Sequence, residues 1–327
     1  MKKSLFLIVM MMWSCGVLHG QETWVKTFGG SELEDGNSIT TTPDGGYGLM
    51  GTTHSNDGDF EGLNKGERDI FAMKLDSRGD VLWTKVFGGR EIELGFSITT
   101  TPDGGYVLTG ETYSNDGDFE GMNKGYTDFF VIKLDSHGDI QWKKVLGGRG
   151  NETGFSIATT PDAGYVLTGE TQSNDGDFKG MNNGYTDFFV IKLDSHGNVQ
   201  WKKTFGGSEW DWGRSITKTP DGGYVLTGST NSIDNDFNGM NKGMDDIFVI
   251  KLDSRGNVEW KKTFGGSEWD WGRSITKTSD GSYVLTGWTE SNDGDFKGTN
   301  KGRKDIFVIK LDSNGNLQST GKKSKKK

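Results

Sequence analysis

Residues 83–141 read WTKVFGGREIELGFSITTTPDGGYVLTGETYSNDGDFEGMNKGYTDFFVIKLDSHGDIQ, and this stretch decides the fold because it returns at a fixed spacing. The tryptophan that opens it recurs every 59 residues, at Trp24, Trp83, Trp142, Trp201 and Trp260. Self-similarity at a period of this size marks propellers, solenoids and other repeat architectures. The sequence therefore predicts one repetitive body, and function must be read from how the copies differ.

Within one copy, the alternation of apolar and polar residues predicts four strands and no helix. In the second copy these strands cover residues 97–101, 106–111, 129–135 and 140–146. The first and second pairs are each joined by a short turn whose glycine supplies a positive φ. Each unit is therefore a four-stranded antiparallel meander.

Composition and charge agree with an all-β body that avoids polyanions. Of 327 residues 52 are glycine and 12% are aromatic, which suits short strands joined by tight turns. The formal charge is −9, and it becomes −16 without the seven lysines near the two ends (Lys2, Lys3, Lys322, Lys323, Lys325, Lys326, Lys327). A body this acidic repels nucleic acid, so we expect no nucleic-acid partner.

The N-terminal segment predicts export. Lys2 and Lys3 precede an apolar run over residues 5–13, and small residues precede Gln21, as in a secretory signal peptide of residues 1–20. The run is too short to span a bilayer, so we expect no transmembrane segment. The protein is therefore predicted to be secreted, or to lie in the periplasm or at the cell surface. The single cysteine, Cys15, offers a lipid anchor as the alternative.

Radial closure best satisfies the edges of five four-stranded sheets. The stretches Asp246–Asp253, Gly256-Asn257, Phe264–Ser267 and Tyr283–Gly287 resemble the bacterial β-propeller repeat family known as SBBP repeats. The resemblance covers residues 21–318 and leaves residues 319–327 as a basic disordered tail. It implies a five-bladed β-propeller built from five 59-residue four-stranded repeats, with the Ser-Ile-Thr strand at the channel and the Trp strand outermost. It implies little about function, because the family is defined by its repeat.

The register of the repeat also predicts how the ring closes. Residues Trp24 to Phe28 correspond to the outer strand of the last blade, so they should pair beside Ile306 to Asp312 and join the chain ends. The repeated tryptophans are expected to pack between blades, since every blade has one.

Strand parity places the Gly-Gly-Ser-Glu loop and the Ser-Asn-Asp-Gly-Asp loop on one face of the disc, where we expect function. A column of carboxylates leads into each inner strand: Glu34, Glu93, Glu152, Asp211 and Asp270. Two interpretations stay open for this column. Each carboxylate caps its own loop by accepting backbone N–H bonds, or the five form a cation-attracting rim around the channel.

Every long loop on that face carries an Asp-x-Asp pair, and such pairs can offer two carboxylates to one Ca²⁺ ion. The pairs are Asp57 and Asp59, Asp116 and Asp118, Asp175 and Asp177, Asp234 and Asp236, and Asp293 and Asp295. The full EF-hand pattern is absent, and self-capped Asx-turns explain the same residues without a metal. Calcium is therefore a candidate ligand and no cofactor is certain.

Blades four and five depart from the other copies by concentrating tryptophan and arginine. The candidate ligand-binding residues are Trp210, Trp212, Arg214, Trp269, Trp271, Arg273 and Trp288, with Asp211 and Asp270 beside them. Indole faces with polar groups nearby are typical of a sugar platform. Packing of the same indoles between adjacent blades is the alternative. In an extended segment one tryptophan of each pair must point opposite to the other.

An enzyme is the main competing class. A glycoside hydrolase needs two carboxylates in unlike environments, whereas near-identical repeats create near-identical ones. No His/Cys cluster or phosphate-cradling loop is evident. We therefore predict a secreted, lectin-like, non-catalytic protein that binds a glycan. An adhesion scaffold for extracellular proteins is the first alternative, and a propeller-type glycoside hydrolase is the second.

Overall fold

The computed structural model describes residues 23–317, which form five antiparallel sheets, numbered here blades one to five along the chain. Blades one and two contain β1 (Glu34–Thr41), β2 (Tyr47–Thr53), β3 (Asp69–Leu75), β4 (Val81–Phe87), β5 (Glu93–Thr100), β6 (Tyr106–Thr112), β7 (Asp128–Leu134) and β8 (Ile140–Leu146). Blades three and four contain β9 (Glu152–Thr159), β10 (Tyr165–Thr171), β11 (Asp187–Leu193), β12 (Val199–Phe205), β13 (Asp211–Lys218), β14 (Tyr224–Thr230), β15 (Asp246–Leu252) and β16 (Val258–Phe264). Blade five contains β17 (Asp270–Lys277), β18 (Tyr283–Thr289) and β19 (Asp305–Leu311).

The helical content of the described chain is one short 3₁₀ turn per blade, between the second and third strands. These turns are Gly58–Phe60, Gly117–Phe119, Gly176–Phe178, Asn235–Phe237 and Gly294–Phe296. Within residues 23–317 no helix has the length and apolar character needed to cross a bilayer.

The strands of each blade pair in chain order because tight turns of suitable chemistry join them. Between β1 and β2, the Thr42 amide donates to the carbonyl of Gly46, and the Asp44 carboxylate accepts the Gly46 N–H at 3.1 Å. Gly45 has a φ of 82°, which glycine adopts without strain. The meander predicted from alternation is confirmed.

Neighbouring blades bury one another's faces. Val225 and Val249 of blade four lie in one buried cluster with Ile275 and Tyr283 of blade five. The first strands of successive blades contact each other. The Ile275 amide donates to a serine hydroxyl of blade four at 3.2 Å. The result is the predicted five-bladed propeller, whose core is divided among the junctions between blades.

The tryptophan of each outer strand packs on the next blade. The Trp83 indole N–H donates to the carbonyl of Ser136 at 3.1 Å, and its ring meets the edge of the Tyr106 ring at 5.5 Å between centroids. Trp142, Trp201 and Trp260 make the same two contacts one blade further on each time. These indoles join blades, as the sequence predicts.

The structure corrects the predicted ring closure. Residues Trp24 to Phe28 are not a strand and do not pair with β19, so the fifth sheet has three strands. They lie against blade one, where Trp24 contacts Tyr47 at 5.8 Å between ring centroids. These contacts hold the segment on blade one, while the outward faces of blades one and five stay exposed at Ile39 and Ile306.

One turn carries a residue that the repeat does not favour, and this gives a first prediction. Ala163 has a φ of 59° at the position where the second copy has Gly104, with a φ of 80°. Residues other than glycine are strained at such a positive φ. We expect Ala163→Gly to raise the free energy of unfolding by about 0.5–1 kcal/mol, measured by denaturant titration.

The converse change supplies the control. A Cβ built on Gly104 meets nothing within 4 Å, so Gly104→Ala isolates the effect of the positive φ. It should lower stability by a similar amount. Equal stability of all three proteins would show that this turn is unstrained.

Candidate functional site

The five copies differ most at positions beside the inner strands, which we call the axial positions. One, near the end of each second strand, holds Thr52, Glu111, Glu170, Ser229 and Trp288. Its cross-strand partners on the first strands are Asp35, Leu94, Thr153, Trp212 and Trp271. Two residues further along the first strands stand Asn37, Phe96, Phe155, Arg214 and Arg273. Since cross-strand partners share a face, the variation is concentrated in space as well as in sequence.

Two glutamates at axial positions line one cleft of about 320 Å³ between blades two and three. Glu111 is buried and accepts a hydrogen bond from the Thr153 hydroxyl. A carboxylate oxygen of Glu170 lies 3.8 Å from Nη2 of Arg214. The Arg214 guanidinium is stacked over the Phe155 ring at 4.0 Å from its centroid. One cation thus faces two carboxyl groups in a cleft that has both aromatic and polar side chains in its lining.

Burial shifts the pKa of all three side chains, Glu111, Glu170 and Arg214. It raises the pKa of Glu111, and it raises the pKa of Glu170 to about 7, where the nearby Glu111 charge acts in the same direction. It also lowers the pKa of Arg214. Charge is costly to bury, and perturbed groups in a cleft are candidates for function. Our sequence reasoning missed both glutamates, although the column in which the five copies differ contained the signal.

Aromatic rings form the walls of the same cleft. Tyr113 and Tyr126 meet edge to face at 5.6 Å, and Phe96 and Phe155 lie 5.3 Å apart. The cleft therefore combines ring faces with carboxylate acceptors.

The predicted tryptophan cluster is a continuous stack beside this cleft. Trp271 lies 4.7 Å from Trp212 and 5.4 Å from Trp288, between ring centroids. Its indole N–H donates to the Asp245 carboxylate at 2.6 Å, and Lys304 Nζ lies 3.6 Å over Trp288. These three indoles pack between blades four and five while staying partly exposed. Asp245, which anchors the stack, was not among the predicted residues.

The other tryptophan of each pair points away from the stack, as alternation along a strand requires. Trp210 is 43% exposed and Trp269 is 40% exposed. The ring of Trp210 is stacked on Tyr185 at 4.9 Å. These indoles offer open ring faces to a ligand.

The two predicted arginines occupy different environments. Arg214 is shielded and joins the cleft to the stack, since its guanidinium also lies 5.8 Å from the Trp271 ring. Arg273 is exposed, 5.1 Å over the same indole. The cleft and the stack are therefore one connected surface, which we call the axial cluster: Phe96, Glu111, Tyr113, Tyr126, Phe155, Glu170, Arg214, Trp212, Trp271 and Trp288.

The column of carboxylates is not part of that surface, which corrects the predicted roles of Asp211 and Asp270. Asp211 and Asp270 are fully buried, and each accepts a backbone N–H four residues earlier, from Gly207 at 2.8 Å and Gly266 at 2.9 Å. Glu34, Glu93 and Glu152 make the equivalent bonds with Gly30, Gly89 and Gly148. The geometry is that of loop caps, and four of the five carboxylates, all but Glu34, are fully buried.

The Asp-x-Asp pairs fasten one blade to the preceding chain. Asp57 accepts the Ser31 N–H and Asp59 accepts the Gly29 N–H, both at 2.8 Å. The same bonds recur for Asp116, Asp118, Asp175, Asp177, Asp234, Asp236, Asp293 and Asp295. They cap a neighbouring loop and not their own. Within residues 23–317 no group of three His, Cys, Asp or Glu side chains is arranged to hold a metal ion.

A further set of buried carboxyl groups was missed by sequence reasoning because each simply begins a third strand. Burial raises the pKa of Asp69, Asp187 and Asp246 to about 7, and that of Asp128 to about 6. In each, one oxygen accepts a backbone N–H, and the other is buried without a hydrogen-bond partner among the described residues. Their regular recurrence marks them as part of the scaffold.

Comparisons with known proteins find distant likenesses only. No protein-family profile matches the chain. The regulatory protein FlaEY of Caulobacter vibrioides is 24% identical over 276 residues, covering 75% of this chain and 28% of FlaEY. An uncharacterized WD repeat-containing protein of Acanthamoeba polyphaga mimivirus is 22% identical over 324 residues, covering 75% and 23%. The chain thus spans about a quarter of the length of these relatives.

Among solved structures, the Neurospora crassa Pan2 WD40 domain is 11% identical, with a TM-score of 0.47 and coverage of 87% of this chain and 65% of that one. A Bacteroides caccae protein of unknown function is 10% identical, with a TM-score of 0.45 and coverage of 88% and 81%. A thermostable family-43 glycoside hydrolase is 12% identical, with a TM-score of 0.42 and coverage of 88% and 93%. None of these likenesses indicates a ligand.

The buried aspartates predict that mild acid stabilises the protein. Their folded-state pKa lies above the value in an unfolded chain, so folding takes up protons between about pH 4 and pH 7. Stability is therefore expected to fall as pH rises through that window and to level off above it. Thermal unfolding should show a higher midpoint at pH 5.5 than at pH 8.

Asp246→Asn, which keeps an acceptor for the backbone N–H, should make this pH dependence shallower. Asp139→Asn, at an exposed carboxylate, should leave it unchanged and serves as the control. A midpoint that rises from pH 5.5 to pH 8 would contradict the assignment of buried, protonated carboxyl groups.

Calcium binding stays a prediction that the melting temperature can test. An ion that binds only the folded state must raise the midpoint by mass action. Because each Asp-x-Asp pair already accepts two backbone N–H bonds, we expect 1 mM Ca²⁺ added to chelator-treated protein to leave the midpoint unchanged. A rise that Asp116→Asn reduces would instead show a metal site in the loops.

Proposed function

We propose that this protein is a non-catalytic binding protein that holds its ligand at the axial cluster, and that the ligand is a glycan. A propeller scaffold suits such a role because its rigid blades fix the geometry of variable positions near the axis. One observation carries the proposal: Glu111 is buried and Glu170 is half-buried beside aromatic rings, at positions where the other blades have different residues. The scaffold does not require carboxylates there.

The chemistry of the axial cluster matches what a sugar presents. The partly exposed indoles of Trp212, Trp271 and Trp288 suit the apolar C–H patches of a pyranose. Carboxylates at Glu111 and Glu170 accept hydrogen bonds from hydroxyl groups, and such convergent polar groups beside aromatic rings give orientation and specificity. Exposed indoles at Trp210 and Trp269 extend the surface toward a longer chain.

A glycan array probed with the mature protein tests the ligand class. For a glycan that binds, Glu170→Gln and Trp210→Ala are each expected to weaken binding by at least about tenfold in a calorimetric titration. Glu120→Gln, at an exposed loop residue, is the matched control and should bind like the parent protein. Binding that survives both Glu170→Gln and Trp210→Ala would place the glycan elsewhere.

An extracellular protein partner is a second candidate, favoured by a different observation. Tyr126 of the axial cluster, Tyr185 and Met244 occupy the same repeat position, and all three are exposed apolar side chains. Exposed aromatic residues are common anchors of protein interfaces. This candidate would be favoured if no glycan on the array bound and if the protein captured a protein partner that the Tyr185→Ala variant did not capture.

The glycoside hydrolase alternative draws support from the raised pKa of Glu170, since a carboxyl group protonated near neutral pH can serve as an acid. Glutamate occupies this position in blades two and three only, so these carboxyl groups are not repeated alike in all five blades. If the protein hydrolyses a polysaccharide and Glu170→Gln alone abolishes this hydrolysis, the protein is an enzyme and the non-catalytic proposal is wrong.

A further inference from the structure

The two end blades each expose an apolar face that every inner blade buries. Ile39 of blade one is 64% exposed, whereas its equivalents in the other four blades are buried. On the opposite side, Ile306 and Val308 of blade five are 86% and 71% exposed, whereas their blade-four equivalents, Ile247 and Val249, are fully buried. These faces leave apolar area in contact with water that the repeat is built to cover.

The internal junctions show what would cover both faces. At the junction of blades four and five, the set Val225, Ile247 and Val249 packs in one buried cluster with the set Ile275, Tyr283 and Leu285. Blade five carries the first set again as Val284, Ile306 and Val308. Blade one carries the second set again as Ile39, Tyr47 and Leu49. The two exposed faces are therefore the two halves of a junction that the chain forms four times.

The N-terminal segment supplies the matching edge. Trp24 meets Tyr47 at 5.8 Å, as Trp83 meets Tyr106 at 5.5 Å in the next copy. Lys26 Nζ lies 2.8 Å from the Asp80 carboxylate, as Lys85 Nζ lies 2.7 Å from Asp139. Blade one thus already carries residues 24–28 where the outer strand of a preceding blade would lie.

Blade five has the complementary deficiency. In blades one to four the third strand pairs on both sides, but within residues 23–317 β19 pairs with β18 alone, apart from one isolated bridge between Leu311 and Leu317. An open strand edge is a template for pairing with another chain.

We propose that blade five of one copy of this chain packs on blade one of a second copy, whose residues 24–28 add to β19 as its fourth strand. The contact is head to tail, because two different faces meet, so it closes into a ring only if the rotation between copies allows it. This inference is independent of the glycan proposal, since the faces lie at the ends of the blade series and not in the axial cluster.

Two variants, each of which disrupts one half of the proposed junction between copies, test the proposal. Ile39→Lys places a charge on blade one, and Ile306→Lys with Val308→Lys places charges on blade five. All three positions are exposed, so the variants are expected to keep the circular dichroism spectrum of the parent. In sedimentation velocity over a concentration series, the parent should associate, and each variant alone should need at least about tenfold higher concentration to do so.

Mixing the two variants is the decisive measurement. The intact blade five of the Ile39→Lys protein can pack on the intact blade one of the other variant, so an equimolar mixture should form a dimer at concentrations where neither variant associates alone. Leu82→Lys, at an exposed residue of the outer strand β4, is the control and should associate like the parent. A parent that stays monomeric at every concentration, or variants that associate as it does, would overturn the proposal. The monomeric outcome would mean that the two ends close within one chain.

Discussion

Each blade of this protein has two apolar faces, and only a neighbouring sheet can cover them. The buried cluster that joins Val249 of blade four to Ile275 and Tyr283 of blade five is one such junction. A change at any of these positions disturbs a junction. The copies therefore carry similar apolar residues in these buried clusters.

The proposed binding site lies at positions beside the inner strands, where the copies are free to differ. There the copies diverge, from Thr52 in blade one to Glu111, Glu170 and Trp288 in later blades. Burying the two glutamates near a single arginine costs stability that the scaffold does not require. Natural proteins commonly accept such costs at functional sites, which is why the axial cluster stands out from the regular carboxylates around it.

The sequence predicts the scaffold well because a 59-residue period and its turn chemistry determine strands, turns and the packing role of tryptophans such as Trp83. Ring closure is harder, because the angle between sheets is a property of whole junctions and is not visible in the alternation of residues 24–28. The sequence also did not predict how deeply individual acidic side chains are buried. Asp211 and Glu111 look alike as acidic residues in strands, but one caps a buried loop while the other faces a cleft. Comparing the copies column by column would have separated them.

The most direct test of this account asks whether Glu111 serves the scaffold or the site. Blade four has Ser229 at the equivalent position, so Glu111→Ser restores a residue that the repeat already tolerates. The account predicts that the free energy of unfolding at pH 7.5, measured by denaturant titration, is unchanged or increased, because a buried carboxyl group is removed. A loss of more than about 2 kcal/mol, the size expected for a structural buried group, would contradict it.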